Sequence, residues 1–361
     1  MKKILDKMKN QWAPIVNADN FYDQKTASSN INWSVRYTSS KKPIDLQWTV
    51  VHHALPDFIV EAVNKVITNS NLYPLPEELE RLLEKKHKLE KGQVIVTAGA
   101  DYSLLTLGLL YGKNIHMFTP GYNGYLDIEK FPGYKVTQHD SMQDGSYIIS
   151  TDKIPDASLI YVTNPNNPAG FTGRDRVLEL VRNNKQAHVV VDEVYGEFAP
   201  ELSVIDEVNN YKNLTVVRSF SKAYSMAGMR VGYTVSNKKV IKDMDTSASY
   251  FAVSKPGLAA AISALKHEDY FKQVRQEVIN ERIKTEEYLR HQGYRVIDSK
   301  YNGILIKFPT VKEATAFLNK AKSENILIDQ GSGDANVGLS DEYIRVAVGN
   351  ASEMKKFRSI L

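Results

Sequence analysis

The sequence predicts an α/β fold, a mostly parallel sheet between helices, followed by a smaller α+β unit. Three observations carry this. Short, almost purely apolar runs rich in β-branched residues, such as "HVVVDE" and "LTVVRSFS", mark strands covered on both faces. Segments with apolar residues at helical spacing lie between several of them, the alternation expected of parallel strands joined by crossovers. After residue 240 the texture changes to a long helical stretch and a second set of short strands.

Taken in order, residues 1–43 are polar and irregular. They hold Trp12, Tyr22 and Trp33 among Asn, Ser and Lys, and read as an arm packed on the body or on a partner subunit. The large unit is read over 44–240. "DFIVEAVNKVITNS" places Ile59, Val60, Val63, Val66 and Ile67 at helical spacing, and "PEELERLLEKKH" follows the same pattern. "QVIVTAGA" is a short strand ending in a glycine turn, and "DYSLLTLGLLYG" continues as a helix. Strands follow at "NIHMFTP", "KVTQHD" and "SLIYVTNP", then a helix at "RDRVLELVRNNK" and the two strands quoted above. A helical stretch of roughly 257–292 leads into "YRVIDS", "GILIKF", "KEATAFLNKAKSEN", "ILIDQ" and "YIRVAVG", read as a smaller unit over 241–361. There is no internal repeat and no low-complexity segment.

Composition narrows the function. The chain has 361 residues and a net charge of +4, from 46 basic and 42 acidic side chains, too mild to imply a nucleic-acid partner. It has no cysteine, which excludes thiolate nucleophiles, disulfides and cysteine-based metal sites. "MKKILDKMKNQW" lacks the sustained apolar core of a signal peptide, and no apolar run approaches a membrane span. The expectation is a cytoplasmic protein without nucleic-acid or membrane partners.

Four clusters sit at predicted strand ends, where open α/β sheets bind ligands. "TAGAD" (97–101) feeds a helix, so the Ala100 and Asp101 backbone N–H groups suit an anion; a plain glycine turn capped by Asp101 explains it as well. "TNPNNPAG" (163–170) is a rigid turn that also fixes the Asn167 amide ahead of Pro168. In "HVVVDEVYGEF" a carboxylate, Asp192, emerges from a buried strand and needs a cationic or hydrogen-bonding partner, or caps a helix, with Tyr195 three residues on. In "SFSKAYSMAGMR" (219–230) Lys222 stands among Ser219, Ser221 and Arg230; it is a surface lysine or, in a cleft beside other positive charge, an amine nucleophile.

One ligand uses all four clusters. Pyridoxal 5'-phosphate needs an amine for its aldehyde, an acid beside its ring nitrogen, donors to its ring oxygen and a cup for its phosphate. Lys222 supplies the amine and Asp192 the acid. Asn167 and Tyr195 supply the donors. The Ala100 and Asp101 N–H groups, with Ser219, Ser221 and Arg230, supply the cup.

The order "GAD", "PGYNGY", "NPNNPAG", "DEVYGEF", "SFSKAYSMAGMRVGY", "YIRVAVGN" resembles the class I/II aminotransferases of the fold-type I pyridoxal-phosphate family, over about residues 57–350. Within it, the histidinol-phosphate aminotransferase branch looks closest. The resemblance implies amino-group transfer between an amino acid and a 2-oxo acid, with Lys222, Asp192 and Tyr195 as catalytic residues. It also implies that Tyr122 stacks on the cofactor ring and Arg345 grips the substrate carboxylate as a fork. A homodimer follows from the family, in which Tyr73 of "NLYPLPEELE" reaches the neighbouring subunit's cofactor phosphate. Decarboxylases, lyases and oxidases of the family share the same lysine and aspartate, so the residues leave that reaction choice open; a non-catalytic ligand-binding protein is a remote third reading. Two departures stand out. "LQWTVVHHALP" replaces the branch's Asn-Glu-Asn-Pro stretch, with His52 and His53 read as an exposed pair, and Ile328 stands where the branch carries an arginine that helps bind phosphorylated substrate.

Overall fold

The computed structural model describes residues 43–143, 145–247, 251–333 and 335–361. Apart from Pro43, the arm expected over 1–43, with Trp12, Tyr22 and Trp33, lies outside the described residues.

Seven strands form the large sheet: β1 (Val94–Thr97), β2 (Asn114–Thr119), β3 (Lys135–Asp140), β4 (Leu159–Thr163), β5 (His188–Asp192), β6 (Leu214–Ser219) and β7 (Gly232–Ser236). Their spatial order is β1-β7-β6-β5-β4-β2-β3. Strands β6, β5, β4, β2 and β3 run parallel, as the apolar runs predict, while β7 is antiparallel to both β6 and β1. No sequence reading marked β7 as a strand. Arg230 adopts a left-handed conformation (φ +54°) that turns the chain back along β6, so Ser219 faces Gly232 across the ladder.

Period-two alternation explains why these strands carry few polar residues. Ile160, Val162, Val189 and Val191 pack into the core on one face, which includes Val177, Leu180 and Val181 of the helix Arg174–Asn183. Leu159, Tyr161 and Val190 pack on the other face, against Ala100, Leu104 and Leu107 of the helix Ala100–Tyr111. Both faces are covered, which leaves the carboxyl ends of the strands as the open polar edge.

The second sheet has four antiparallel strands: β8 (Arg295–Ile297), β9 (Gly303–Lys307), β10 (Asp329–Gln330) and β11 (Tyr343–Ala347), in the order β8-β9-β11-β10. Its apolar side joins the first core through Ile304, Ile306, Ile344 and Val346. The strand Ile44–Asp45 pairs in parallel with Ile326–Leu327, and the Ala347 N–H donates to the Leu46 carbonyl at 2.8 Å. The first described residues are therefore fastened to the C-terminal sheet rather than to the large one.

The helical stretch of roughly 257–292 is two helices, Lys255–Lys266 and Glu268–His291. The break falls at His267 (φ −121°, ψ 40°), whose ring nitrogen Nδ1 bonds back to the Ser263 carbonyl at 2.8 Å. Beside it, the Glu268 carboxylate is held by Tyr224 at 2.7 Å, by Lys86 at 3.0 Å and by Arg275 at 2.5 Å.

Candidate active site

A cavity of about 260 Å³ opens where the carboxyl ends of β4, β5 and β6 meet β11 and the segment after Asp45. Ala100, Asp101, Tyr122, Asn167, Asp192 and Tyr195 line it, as do Ser219, Ser221, Lys222, Arg230 and Arg345. Of the residues assigned to the cofactor or the substrate from the sequence, Tyr73 alone lies outside it.

Asp192 ends β5 and is buried. One carboxylate oxygen accepts the Tyr125 hydroxyl at 2.7 Å and the other accepts the Val194 N–H at 3.0 Å. Among the described residues no cation pairs with it. Burial therefore pushes its carboxyl up to about 6, against the lowering effect of those two bonds. The helix-capping alternative does not apply, because no helix starts there.

Lys222 follows β6 and is half-buried. Its Nζ lies 3.3 Å from Thr49 Oγ1 and 5.5 Å from the centre of the Tyr195 ring. The Tyr195 hydroxyl shares a 2.7 Å bond with Thr49 and accepts the Asn167 amide at 2.8 Å. Asn167 in turn accepts from Arg345 Nη1 at 3.4 Å. One polar chain thus runs from Lys222 to Arg345.

The anion end is built at the start of the helix Ala100–Tyr111. Gly99 leads into it without a side-chain cap, which leaves the first N–H groups for another acceptor. The positive φ of +84° favours glycine there, and the absent Cβ lets the mobile Arg230 guanidinium lie over the turn, with Nη2 2.7 Å from where a Cβ would stand. Arg230 pairs with Asp101 at 2.7 Å, and Asp101 also accepts the Tyr122 hydroxyl at 3.0 Å. Burial, and then the Asp101 charge, raise the Tyr122 hydroxyl well above its usual range, so it stays a donor. Asp101 does not cap this helix; it sits in the first turn.

A family model described as "Aminotransferase class I and II" matches residues 41–361. The chain belongs to the class I and II aminotransferases. It is 30% identical over 315 residues to a histidinol-phosphate aminotransferase of Brachyspira hyodysenteriae, covering 82% of this chain and 86% of the relative. Its fold is similar to the histidinol-phosphate aminotransferase of Sinorhizobium meliloti solved in complex with pyridoxal-5'-phosphate (TM-score 0.79, 22% identity, 90% of this chain and 92% of that one). It is also similar to the L-threonine-O-3-phosphate decarboxylase of Porphyromonas gingivalis (TM-score 0.74, 23% identity, 88% and 98%). The activity is a pyridoxal-phosphate-dependent amino-group transfer. The site fits that cofactor on a point of its own: among the described residues the buried Asp192 carboxylate has no cation, and a pyridinium nitrogen is one.

Three residues of this aminotransferase site went unmarked in the sequence. Tyr125, which bonds Asp192 and Thr163 and stacks on Tyr161 at 4.5 Å, is the second tyrosine of "PGYNGY". Thr49 is buried inside the departing "LQWTVVHH" stretch, where a hydroxyl amid apolar neighbours was the available signal. Asp329 is the third. Ile328, read as standing at the branch's arginine position, is buried in the core, and it is its neighbour Asp329 that lies across the ladder from Arg345 and pairs with its Nη2. A one-residue step along a strand changes faces, and apolar spacing alone did not say which face met the site.

The reading of His52 and His53 is corrected. Neither is exposed and neither lines the cavity; His52 bonds Glu353 at 2.7 Å and His53 bonds Glu277 at 3.0 Å. They fasten the segment that carries Thr49 to helices of the C-terminal half. Tyr73 is 73% exposed and stacks on Phe251 with ring centres 4.3 Å apart.

Proposed function

We propose that this enzyme transfers an amino group between an amino acid and a 2-oxo acid, with Lys222 as its reactive amine and Arg345 as its carboxylate anchor. The observation that carries the reading is the shared cavity. A cation-seeking Asp192, a lysine, the Asn167–Tyr195 pair and a buried arginine meet there and nowhere else among the described residues.

When bound, pyridoxal phosphate supplies an electron-withdrawing ring that takes up the electron pair left on the substrate α carbon. The residues do the rest. Asp192 holds the positive charge on the ring nitrogen. Tyr195 and Asn167 donate to the ring oxygen, and Tyr122 covers the ring. The Ala100 and Asp101 N–H groups, Ser219, Ser221 and Arg230 hold the phosphate. Arg345 orients the substrate carboxylate, and Lys222 takes the proton from the α carbon and returns it elsewhere on the same assembly, as general base and then general acid.

The same reading takes two units, 44–240 and 241–361, with substrate between them, and a cytoplasmic homodimer. Supporting the dimer is an apolar surface in which Leu72, Tyr73 and Leu75 are exposed together beside Phe251. A second copy covering that face brings Tyr73 toward the other subunit's phosphate.

The test is an absorption spectrum of the protein loaded with cofactor, followed by borohydride reduction, peptide mapping and titration with amino donors. We expect reduction to fix the cofactor on Lys222 and donors to convert it to its amine form. Lys222→Ala should bind cofactor and lose transfer by at least about 10³-fold. Label on another residue, or near-normal transfer by the variant, overturns the assignment. Release of carbon dioxide, ammonia or peroxide in place of a transferred amine moves the reaction to another class.

A further inference from the structure

Arg345, the anchor in the reading above, already holds a carboxylate. Asp329 lies directly across from it in the β10–β11 pair, and the two side chains are 9% and 3% exposed. Gln47 closes the arrangement: its amide donates to Asp329 Oδ1 at 2.8 Å, and its backbone carbonyl accepts from Arg345 Nη2 at 2.8 Å. Nη2 therefore serves both Asp329 and Gln47, Nη1 reaches Asn167, and Nε is buried with no partner among the described residues. Donors remain for one incoming carboxylate.

The charge around the cavity is balanced before any ligand arrives. Lys222, Arg230 and Arg345 are its lining cations among the described residues. Against them stand Asp101, which pairs with Arg230, Asp192, and Asp329 behind Arg345. A cofactor phosphate adds negative charge and claims Arg230. Among the described residues no lining cation is then left over for a second anionic group on the substrate, and at short range in a buried site an unmatched negative charge is strongly disfavoured.

We propose that Asp329 is a specificity-determining residue. By occupying Arg345 it admits amino substrates with a single carboxylate and turns away those with a second anionic group, whether carboxylate or phosphate. This rests on the anchoring role given to Arg345 above.

The experiment uses the cofactor-loaded enzyme and α-methyl amino acids, which bind but lack the α hydrogen needed for transfer. The probe pairs are α-methylaspartate with α-methylasparagine, and α-methylglutamate with α-methylglutamine. Each pair differs by one charge at nearly constant shape. Dissociation constants are read from the change in cofactor absorbance, for wild type and Asp329→Asn. We expect the amides to bind wild type at least about tenfold tighter than the acids, and Asp329→Asn to bring the two within about threefold. An acid that binds wild type as tightly as its amide overturns the proposal, and does so even if the variant fails to fold. So does a ratio that Asp329→Asn leaves unchanged. A cofactor band that responds to none of the four analogues fails differently: it removes Arg345 as the anchor and takes this proposal with it.

Discussion

The two walls of the cavity are built on opposite electrostatic plans. The wall at the carboxyl ends of the large sheet is left unpaired, with Asp192 buried without a cation beside it among the described residues and uncapped N–H groups at the start of the helix Ala100–Tyr111. The wall from the small sheet and the 46–51 segment is closed on itself, with Arg345 bound to Asp329 and Gln47. The difference teaches that one wall is completed by what binds it, whereas the other has to be entered in competition with its own residues. Tight cofactor binding and selective substrate binding follow from that division.

Asp192→Asn breaks the comparison where it is sharpest. Amino transfer should fall by at least about 10³-fold, because the ring nitrogen loses its charge partner. Stability of the cofactor-free protein should move the other way. The carboxyl is raised from 3.8 to about 6, so the folded state holds its proton more tightly than the unfolded chain. Wild type therefore gains stability as pH falls from about 6 toward 4, and above 6 it bears a burial cost of about 3 kcal/mol. The variant should melt higher than wild type at pH 8 and match it near pH 4, with cofactor reversing the order at pH 8 through binding. Equal melting of the two cofactor-free proteins at both pH values would show that this wall is not electrostatically incomplete.

Arg230→Ala should act on the same wall with less force. The Arg230–Asp101 pair is half-exposed, with side chains 51% and 57% accessible, so its loss should change cofactor-free stability by under about 1 kcal/mol. Cofactor affinity should fall by about 10- to 100-fold, the worth of charge-assisted bonds to a phosphate. Fluorescence titration of the cofactor-free protein measures it. A stability loss that matches the affinity loss would mean that Arg230 serves the fold and not the ligand.

The two walls also differed in how well the sequence announced them. Asp192, Asn167, Ser219 and Lys222 sit at or just after the ends of apolar strands, and a polar residue there has few reasons other than a ligand or a cap. A local pattern was enough. Asp329 could not be found that way, because its meaning comes from lying across the ladder from Arg345, sixteen positions later in the chain. Thr49 was hidden for the same reason: its partners, Tyr195 and Lys222, are 146 and 173 residues away. The antiparallel strand β7 and the break at His267 likewise depend on a left-handed arginine and on a back-bonded histidine, neither of which periodicity detects.

Thr49→Val offers the smallest effect and the finest probe. Thr49 belongs by chain connection to the closed wall, since the segment before it pairs with Ile326–Leu327. By contact it belongs to the other wall, lying 2.7 Å from the Tyr195 hydroxyl and 3.3 Å from Lys222 Nζ. Valine keeps the shape of the buried side chain and deletes the hydroxyl, leaving Tyr195 with Asn167 alone. The expected cost is about 1 kcal/mol, or roughly five- to tenfold in turnover, as for one neutral hydrogen bond. It should appear in kcat more than in KM, because Thr49 positions Tyr195 and Lys222 and does not hold the carboxylate. The pH at which the cofactor band changes colour should shift with it, and Thr49→Ser should restore both. A loss confined to KM would place Thr49 on the substrate wall in function as well as in chain order, and the hydroxyl would no longer join the two walls.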